Sequence, residues 1–314
     1  MSPLLHLIVF LCLLLKYQST AKMNPFRSSF SPSSQDQELI KKALDGSAQA
    51  LEQLIKSHQD YIYNVVLKLV LNPEEAEDLT QEVLIKMVTK LAQFKGRSSF
   101  RTWLYRIAFN HFLKMKKTQF EGVIHSFDEY QVSLNQIQDH ELTQDEKIAQ
   151  QELIEEAKLS CMSGMLMCLD RPQRLVYILG EIFEVDHQLG SELMDISTSN
   201  FRKKLERARR DLYRFMNHQC GLVNPANPCR CARKTKGFIE SGWVDPQNMR
   251  YNTHFTQSIS QSLADKNQQL DHLLEHEYAA WFQSTPFQEK DHSGRLMKGL
   301  LQDPFFRDTF NLGS

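Results

Sequence analysis

The chain has 314 residues, enough for two or three domains, and its 37 Lys and Arg against 38 Asp and Glu give a formal net charge of −1. A sum near zero neither indicates nor excludes a nucleic-acid partner, because local clusters of charge decide such binding. The low counts of 10 Pro and 12 Gly favour a helical protein, and the uneven spacing of the 6 Cys excludes a small disulfide-bonded secreted domain.

The N-terminus carries an apolar run from Leu4 to Leu15, about a dozen residues and too short for a comfortable membrane span. The run would suit the core of a secretory signal, but no Lys or Arg precedes it. We therefore expect that translation starts at Met23 and that the protein is cytoplasmic. Residues 24–37 are rich in Ser and Pro, which predicts a mobile arm.

Two helices are predicted before residue 92. Apolar residues follow helical spacing from Ala50 onwards, and Asn72 then Pro73 supply an N-cap and a first-turn proline for the next helix. The predicted core stripe of this second helix consists of Ala76, Leu79, Val83, Met87 and Leu91. Another face carries an acidic stripe, which on periodicity alone is most simply a solvated surface: Glu75, Asp78 and Glu82.

A third helix is predicted within the stretch from Ser98 to Lys117, which has a Ser as N-cap candidate before Phe100. Its predicted core row consists of Phe100, Trp103, Leu104, Ile107, Ala108 and His111 or Phe112. Two further rows lie beside it, a polar one of Arg106, Asn110, Lys114 and Lys117 and an aromatic one of Tyr105, Phe109 and Phe112. Cations beside aromatic rings suit single-stranded nucleic acid, because the charges neutralise phosphates and the rings stack on unpaired bases. A buried helix with a solvated basic edge is the alternative that periodicity leaves open.

The stretch from Thr118 to about Gln150 loses hydrophobic periodicity and gains acids and glutamines, which predicts a linker with at most weak structure. Asp170 is predicted to cap the helix that follows. A short helix around Leu189–Met194 and the turn 195–197 then lead into a strong helix over Asn200–Phe215. That helix has a predicted core stripe of Phe201, Leu205, Ala208, Leu212 and Phe215, and residues 202–214 hold seven cations against two acids.

A cluster of three cysteines and one histidine follows the last predicted helix: His218, Cys220, Cys229 and Cys231. Four thiolate and imidazole ligands suit tetrahedral zinc. Because His-x-Cys and Cys-x-Cys spacings are less specific than paired Cys-x-x-Cys motifs, zinc and redox-active cysteines both stand as interpretations. Further on, residues 255–282 have helical apolar spacing.

Three segments resemble one family. FRTWLYRIAFN, residues 100–110, resembles the promoter-melting segment of bacterial sigma factors of the extracytoplasmic-function type. The stretch Glu74–Met87 resembles that family's helix for binding core RNA polymerase, and NFRKKLERARRDL, residues 200–212, resembles its TVxSRLxRARxxL recognition helix. The matched blocks cover roughly residues 45–117 and 165–216, about two fifths of the chain. Gly190 departs from the family, which more often has a branched apolar residue there.

The resemblance implies an all-α protein with two helical DNA-binding domains joined by a linker and followed by a helical extension. The expected boundaries are 1–35 for the apolar run and arm, 36–117 for the core-binding and promoter-melting domain, 118–160 for the linker, 161–217 for the helix-turn-helix domain and 218–314 for the Cys-containing extension. Such sigma factors ordinarily end soon after the helix-turn-helix. The extension is therefore interpreted as a tethered regulator that takes the place of a separate anti-sigma factor.

The resemblance also assigns residue roles. It implies that core polymerase is bound by Asp78, Gln81 and Glu82. Promoter melting is expected to involve Arg97, Arg101, Trp103, Arg106, Asn110 and Lys114, although Trp103 suits core packing equally well. In the helix-turn-helix the expected base readers are Ser199, Asn200, Lys203 and Lys204, with Arg207 and Arg210 on the DNA backbone.

The implied function is that of a sigma factor, whose partners are core RNA polymerase and promoter DNA, both duplex and single-stranded. No cofactor is needed for this function. The sequence shows no phosphate-cradling glycine loop and no nucleophile–base set, so an enzyme is not expected. A stand-alone, dimeric helix-turn-helix regulator is the first rival. A zinc-dependent nucleic-acid enzyme is the second, but the general acid–base carboxylate expected beside its ligands is missing.

Overall fold

The computed structural model describes residues 34–117, 121, 126–247 and 249. Within these residues the regular structure is helical, and an isolated parallel β-bridge between Cys220 and Cys229 is the extent of strand-like pairing. The predicted all-α class is confirmed. None of the described helices is both long enough and apolar enough to cross a bilayer. The apolar run before Met23 and the helix predicted over residues 255–282 lie outside the described residues.

In chain order the helices are α1 (Ser34–Leu44), α2 (Ala48–Val70), α3 (Pro73–Thr89), α4 (Phe100–Lys114), α5 (Phe127–Gln136), α6 (Gln144–Ala149), α7 (Gln151–Met167), α8 (Arg171–Tyr177), α9 (His187–Met194), α10 (Thr198–Gln219) and α11 (Cys231–Glu240). A 3-10 turn over Leu91–Gln93 follows α3, and a π-helical turn over Ile178–Ile182 extends α8. Among the described residues, one compact unit contains 34–116 and 183–198, and a second contains 117–182 and 199–249. The domain boundaries expected from the sequence stay predictions.

The first unit is built on α2, which packs against α1, α3 and α4. As predicted, the apolar stripe of α2 is buried, and α3 starts with Asn72 as N-cap, its side chain accepting a hydrogen bond from the backbone N–H of Glu75 at 3.0 Å. The predicted core stripe from Ala76 to Leu91 is buried in full. Helix α1 was not predicted, because its first residues lie in the Ser/Pro-rich stretch assigned to the mobile arm.

The second unit contains two helices, α5 and α6, in the stretch predicted to be a weakly structured linker, so that prediction was wrong. Helix α5 packs against α7 through Tyr130, which is buried and donates a hydrogen bond from its hydroxyl to the carbonyl of Cys161 at 2.7 Å. Gly164 makes this approach feasible, because a Cβ there would lie 2.5 Å from the Tyr130 hydroxyl oxygen. Burial of one aromatic side chain thus orders a segment whose own sequence is polar.

The first part of the C-terminal extension belongs to the core of the second unit. Helix α11 packs against α7, and Phe238 is buried and stacks on Trp243, with ring centroids 5.1 Å apart. Trp243 in turn stacks on Tyr130 at 5.7 Å. The buried Lys234 donates a hydrogen bond to the carbonyl of Ile137. The extension as far as Val244 therefore stabilises the segment that precedes α6.

Candidate nucleic-acid interface

One face of α3 presents the acidic and amide groups predicted to bind a partner. Asp78, Gln81 and Glu82 are all exposed, while the opposite side of the helix is buried against α2 and α4. The Glu82 carboxylate Oε2 lies 2.6 Å from Nε2 of His111, a residue of α4. The acidic face is therefore not part of the core, but its residue Glu82 contacts the neighbouring helix α4 through His111.

His111 is held between two side chains of α3. Its Nδ1 also contacts the ammonium group of Lys86. Because an ammonium group only donates, Nδ1 must be the unprotonated acceptor, and the proton sits on Nε2, where it is donated to Glu82. Burial and the neighbouring Lys86 charge lower the pKa of His111, with Glu82 acting in the opposite direction. This histidine was predicted only as a core-row position.

The aromatic row of α4 is buried, which corrects the expectation that it stacks on bases. Tyr105, Phe109 and Phe112 are each at most 1% exposed, and the first two rings stack on each other at 5.9 Å between centroids. Ser99 caps the helix by accepting a hydrogen bond from the backbone N–H of Thr102. Because α4 packs against both α2 and α9, two adjacent rows are covered.

A second aromatic group lies at the start of α4 and is only partly covered. Trp103 is half-buried and packs on Phe100 and Phe94, each with ring centroids 5.5 Å away. The Arg101 guanidinium stacks over the ring of Tyr61 at 4.2 Å, which fixes the direction of this cation. Arg97, in the loop that Gly96 turns with φ +67°, is exposed. The structure thus places rings and cations together where α4 begins.

The rest of the polar row of α4 faces outwards. Asn110 and Lys114 are exposed, and the Arg106 side chain is 43% exposed with Nη2 3.8 Å from Oδ1 of Asp195. A pair this long and this exposed contributes little to stability. Asp195 lies at the C-terminal end of α9 in the left-handed conformation, with φ 56°, so it forms the turn predicted after that helix.

Helix α10 has one buried apolar face and one exposed face that carries cations, as predicted. Its core stripe from Phe201 to Phe215 is buried, as predicted, and the opposite side is exposed. The predicted contact residues are exposed except Lys204, which is half-buried: Ser199, Asn200, Lys203, Lys204, Arg207 and Arg210. Arg209 differs from these cations, because its Nε donates to the buried carboxylate of Glu181 at 2.6 Å. The sequence analysis did not identify this ion pair.

Comparison with known proteins agrees with this arrangement. The profile of Sigma-70 region 2 matches residues 54–119, which include α3 and α4. RNA polymerase sigma factor YlaC of Bacillus subtilis is 29% identical over 167 residues, 53% of this chain and 92% of that protein. ECF RNA polymerase sigma factor SigW of Bacillus subtilis is 35% identical over 71 residues, 23% of this chain and 38% of SigW. The chain is therefore similar to RNA polymerase sigma factors, some of them of the extracytoplasmic-function type.

Two further comparisons cover a short stretch or show a lower identity. RNA polymerase sigma-H factor of Pseudomonas aeruginosa is 40% identical over 76 residues, so the chain spans 39% of the length of that relative and 24% of its own. Among solved structures, CnrH in complex with the cytosolic domain of CnrY shares 18% identity with a TM-score of 0.40, covering 59% of this chain and 98% of that one. A likeness at this TM-score supports no conclusion about how the helices of this chain are arranged.

The predicted zinc ligands do not come together as a set. His218 is exposed, and its Nδ1 lies 2.6 Å from the carbonyl oxygen of Arg214, one turn back in α10. Among the described residues, no three His, Cys, Asp or Glu side chains are grouped so that they could hold a metal ion. The predicted ligand set with His218 therefore does not fit, because that side chain is bonded to its own helix.

Proposed function

We propose that this chain is a sigma factor that binds core RNA polymerase through α3, recognises promoter DNA with α4 and α10, and promotes strand opening at the start of α4. The observation that supports the proposal best is the exposure of both predicted contact surfaces within the region 2 match. Asp78 and Glu82 lie on one of these surfaces, and Arg97 and Asn110 lie on the other. All four residues belong to the first unit.

Polymerase binding is assigned to α3 because its exposed face carries the carboxylates of Asp78 and Glu82. Carboxylates at Asp78 and Glu82 would meet basic groups of the partner, so association should weaken as salt rises. Gln81 adds an amide that both donates and accepts hydrogen bonds. The relatives whose names include RNA polymerase support the choice of partner.

Strand opening is assigned to the start of α4. An unpaired base needs an apolar or aromatic wall and polar groups for its edge, and cations must follow the phosphates. Trp103 and Phe94 are half-buried and supply such a wall, while Arg97 and Arg101 lie between them in sequence. Trp103 thus combines packing with partial exposure.

Duplex recognition is assigned to the outer face of α10. A recognition helix reads base edges near its N-terminus and contacts phosphates further along. Ser199 and Asn200 occupy the first turn and are exposed, and Arg207 and Arg210 lie on the exposed side two to three turns later. Arg209 is committed to Glu181 and is therefore assigned to stability instead of DNA contact.

The proposal is tested by transcription from a library of genomic fragments with purified core polymerase. Initiation at a shared set of fragments, dependent on added sigma factor, is the expected result. A stand-alone helix-turn-helix regulator would instead bind palindromic fragments without polymerase and give no initiation, and that result would reject the proposal.

A further inference from the structure

A buried histidine contacts the group of rings at the start of α4. His58, in α2, is 2% exposed, and its ring packs in a T-shaped arrangement on Phe100 with centroids 5.2 Å apart. Phe100 is also buried and stacks on Trp103 at 5.5 Å, while Phe94 contacts these two rings at 5.2 and 5.5 Å. A continuous row of ring contacts therefore runs from His58 in the core to the partly exposed Trp103.

Helix α1 holds the same histidine through a hydrogen bond. Nε2 of His58 lies 3.1 Å from Oδ1 of Asp36, and because an ionised carboxylate only accepts, Nε2 carries the proton and donates it. Asp36 is in the first turn of α1. The same helix packs against the 3-10 turn Leu91–Gln93, which directly precedes Phe94. Helix α1 thus contacts the supports of the ring group at two places.

Packing alone does not account for a histidine at this position. Nδ1 of His58 is buried and has no hydrogen-bond partner among the described residues. A buried polar atom without a partner costs free energy that an apolar side chain of similar size would not. An apolar side chain, however, could not make the directional bond to Asp36. That bond fixes the plane of the imidazole ring, and with it the way in which the ring meets Phe100.

We propose that His58 is a positioning residue for strand opening: held by Asp36, it fixes Phe100 and, through Phe100, the ring of Trp103. The inference rests on the assignment of strand opening to these rings in the function proposed above. A wall for an unpaired base binds better when it is already in place, because ordering a side chain during binding costs free energy. Helix α1 thereby contributes to strand opening, although it carries none of the residues expected to contact DNA.

The test changes Asp36, because His58→Ala would leave a cavity in the core and lower stability. Asp36→Ala removes the acceptor at a side chain that is 17% exposed. Asp36→Asn removes the same charge but retains an oxygen that can accept the hydrogen bond from Nε2. Glu38→Ala is the matched control, since it removes a carboxylate from the same helix at a 66% exposed site that pairs with Lys42.

The first measurement reports the packing of Trp103 in the free full-length protein. The contribution of Trp103 to the fluorescence emission is obtained by subtracting the spectrum of a matched chain that carries Trp103→Phe. In Asp36→Ala this contribution should shift to longer wavelength, because a less firmly packed indole is more exposed to water. Asp36→Asn and Glu38→Ala should keep the wild-type emission. The same emission in Asp36→Ala as in the wild type would overturn the proposal.

The second measurement is strand opening by the full chain with core polymerase, detected as permanganate reactivity of thymines on a promoter that the wild type opens. Asp36→Ala should lower the reactivity per bound complex by about two- to tenfold, the net contribution of one hydrogen bond. Polymerase co-purification should be retained, and Asp36→Asn and Glu38→Ala should open the promoter as the wild type does. Equal opening by Asp36→Ala would overturn the proposal. Failure of the wild type to open any promoter would instead reject the proposed function, and the emission measurement would still decide whether Asp36 positions Trp103.

Discussion

Nε2 of His111 lies 2.6 Å from Oε2 of Glu82, so a polar contact joins the helix assigned to promoter melting to the helix assigned to polymerase binding, which also pack against each other. Lys86 on the other ring nitrogen fixes the neutral tautomer in which Nε2 carries the proton. The same bond orients the carboxylate of Glu82, one of the predicted contact groups.

This arrangement predicts that the first unit is less stable in acid because of His111. Its pKa is lowered on folding, so the unfolded chain takes up the proton first as the pH falls. Stability that is present above about pH 6.5, the ordinary histidine value, is lost as the pH falls below it. The variant His111→Gln should show a flatter dependence of Tm on pH between about 5 and 8. His218→Gln, at an exposed site, should retain the wild-type slope, and equal slopes for all three proteins would contradict the assignment.

Charge reversal on the acidic face should abolish polymerase binding without unfolding the chain. In Asp78→Lys with Glu82→Lys, both changed side chains are exposed, so the helical circular dichroism should be retained. Co-purification with core polymerase should fall at least about tenfold, because like charges then face the basic partner. A control of equal charge change is Asp45→Lys with Glu52→Lys in the same unit. Equal co-purification by both double variants would refute the docking surface.

Substitutions on the outer face of α10 should distinguish residues that contact phosphates from residues that contact bases. Replacing Arg207 and Arg210 by Ala should weaken binding to all duplexes and lower the slope of log affinity against log salt by about 2. Asn200→Ala should instead relax sequence preference by about 1–3 kcal/mol at one position. Arg209→Ala is the control: it should leave the salt slope nearly unchanged and lower Tm, since it leaves the buried Glu181 without Arg209. An unchanged slope for the Arg207 and Arg210 variant would place DNA elsewhere.

Removal of the whole extension should lower the stability of the second unit. A chain ending at Met216 lacks Phe238 and Lys234, both buried in the second unit, and should show a clear fall in Tm. Phe238→Ala alone should cost about 3–5 kcal/mol in free energy of unfolding. A chain ending at Met249 keeps this core, so it is the proper variant for testing the extension as a tethered regulator of promoter activity. An unchanged Tm for the Met216 truncation would show that α11 is not part of the core.

The sequence predicted helices well where one apolar stripe decides the packing. The stripes of α2, α3 and α10 follow a single buried face, and the N-caps Asn72 and Asp170 are local signals read directly from residue types. The exposure of the contact residues was predicted for the same reason, since these residues lie on the helix faces that the apolar stripes do not occupy. Roles for those residues came from resemblance and stay predictions.

Other features depend on contacts between distant residues and could not be predicted. Helix α4 is aromatic on two adjacent rows, and its packing against both α2 and α9 decides that Tyr105 and Phe109 are buried. Helix α5 is ordered by Tyr130, whose partner Trp243 lies more than a hundred residues later in the chain.

In the proposed function this chain, together with core polymerase, separates promoter strands. Permanganate reactivity of thymines on a promoter found in the transcription experiment measures this directly. Wild-type protein with core polymerase should make thymines upstream of the start site reactive, and Trp103→Ala with Asn110→Ala should reduce that reactivity while polymerase still co-purifies. Duplex binding by the complete complex with no reactive thymine at any temperature tested would contradict the account.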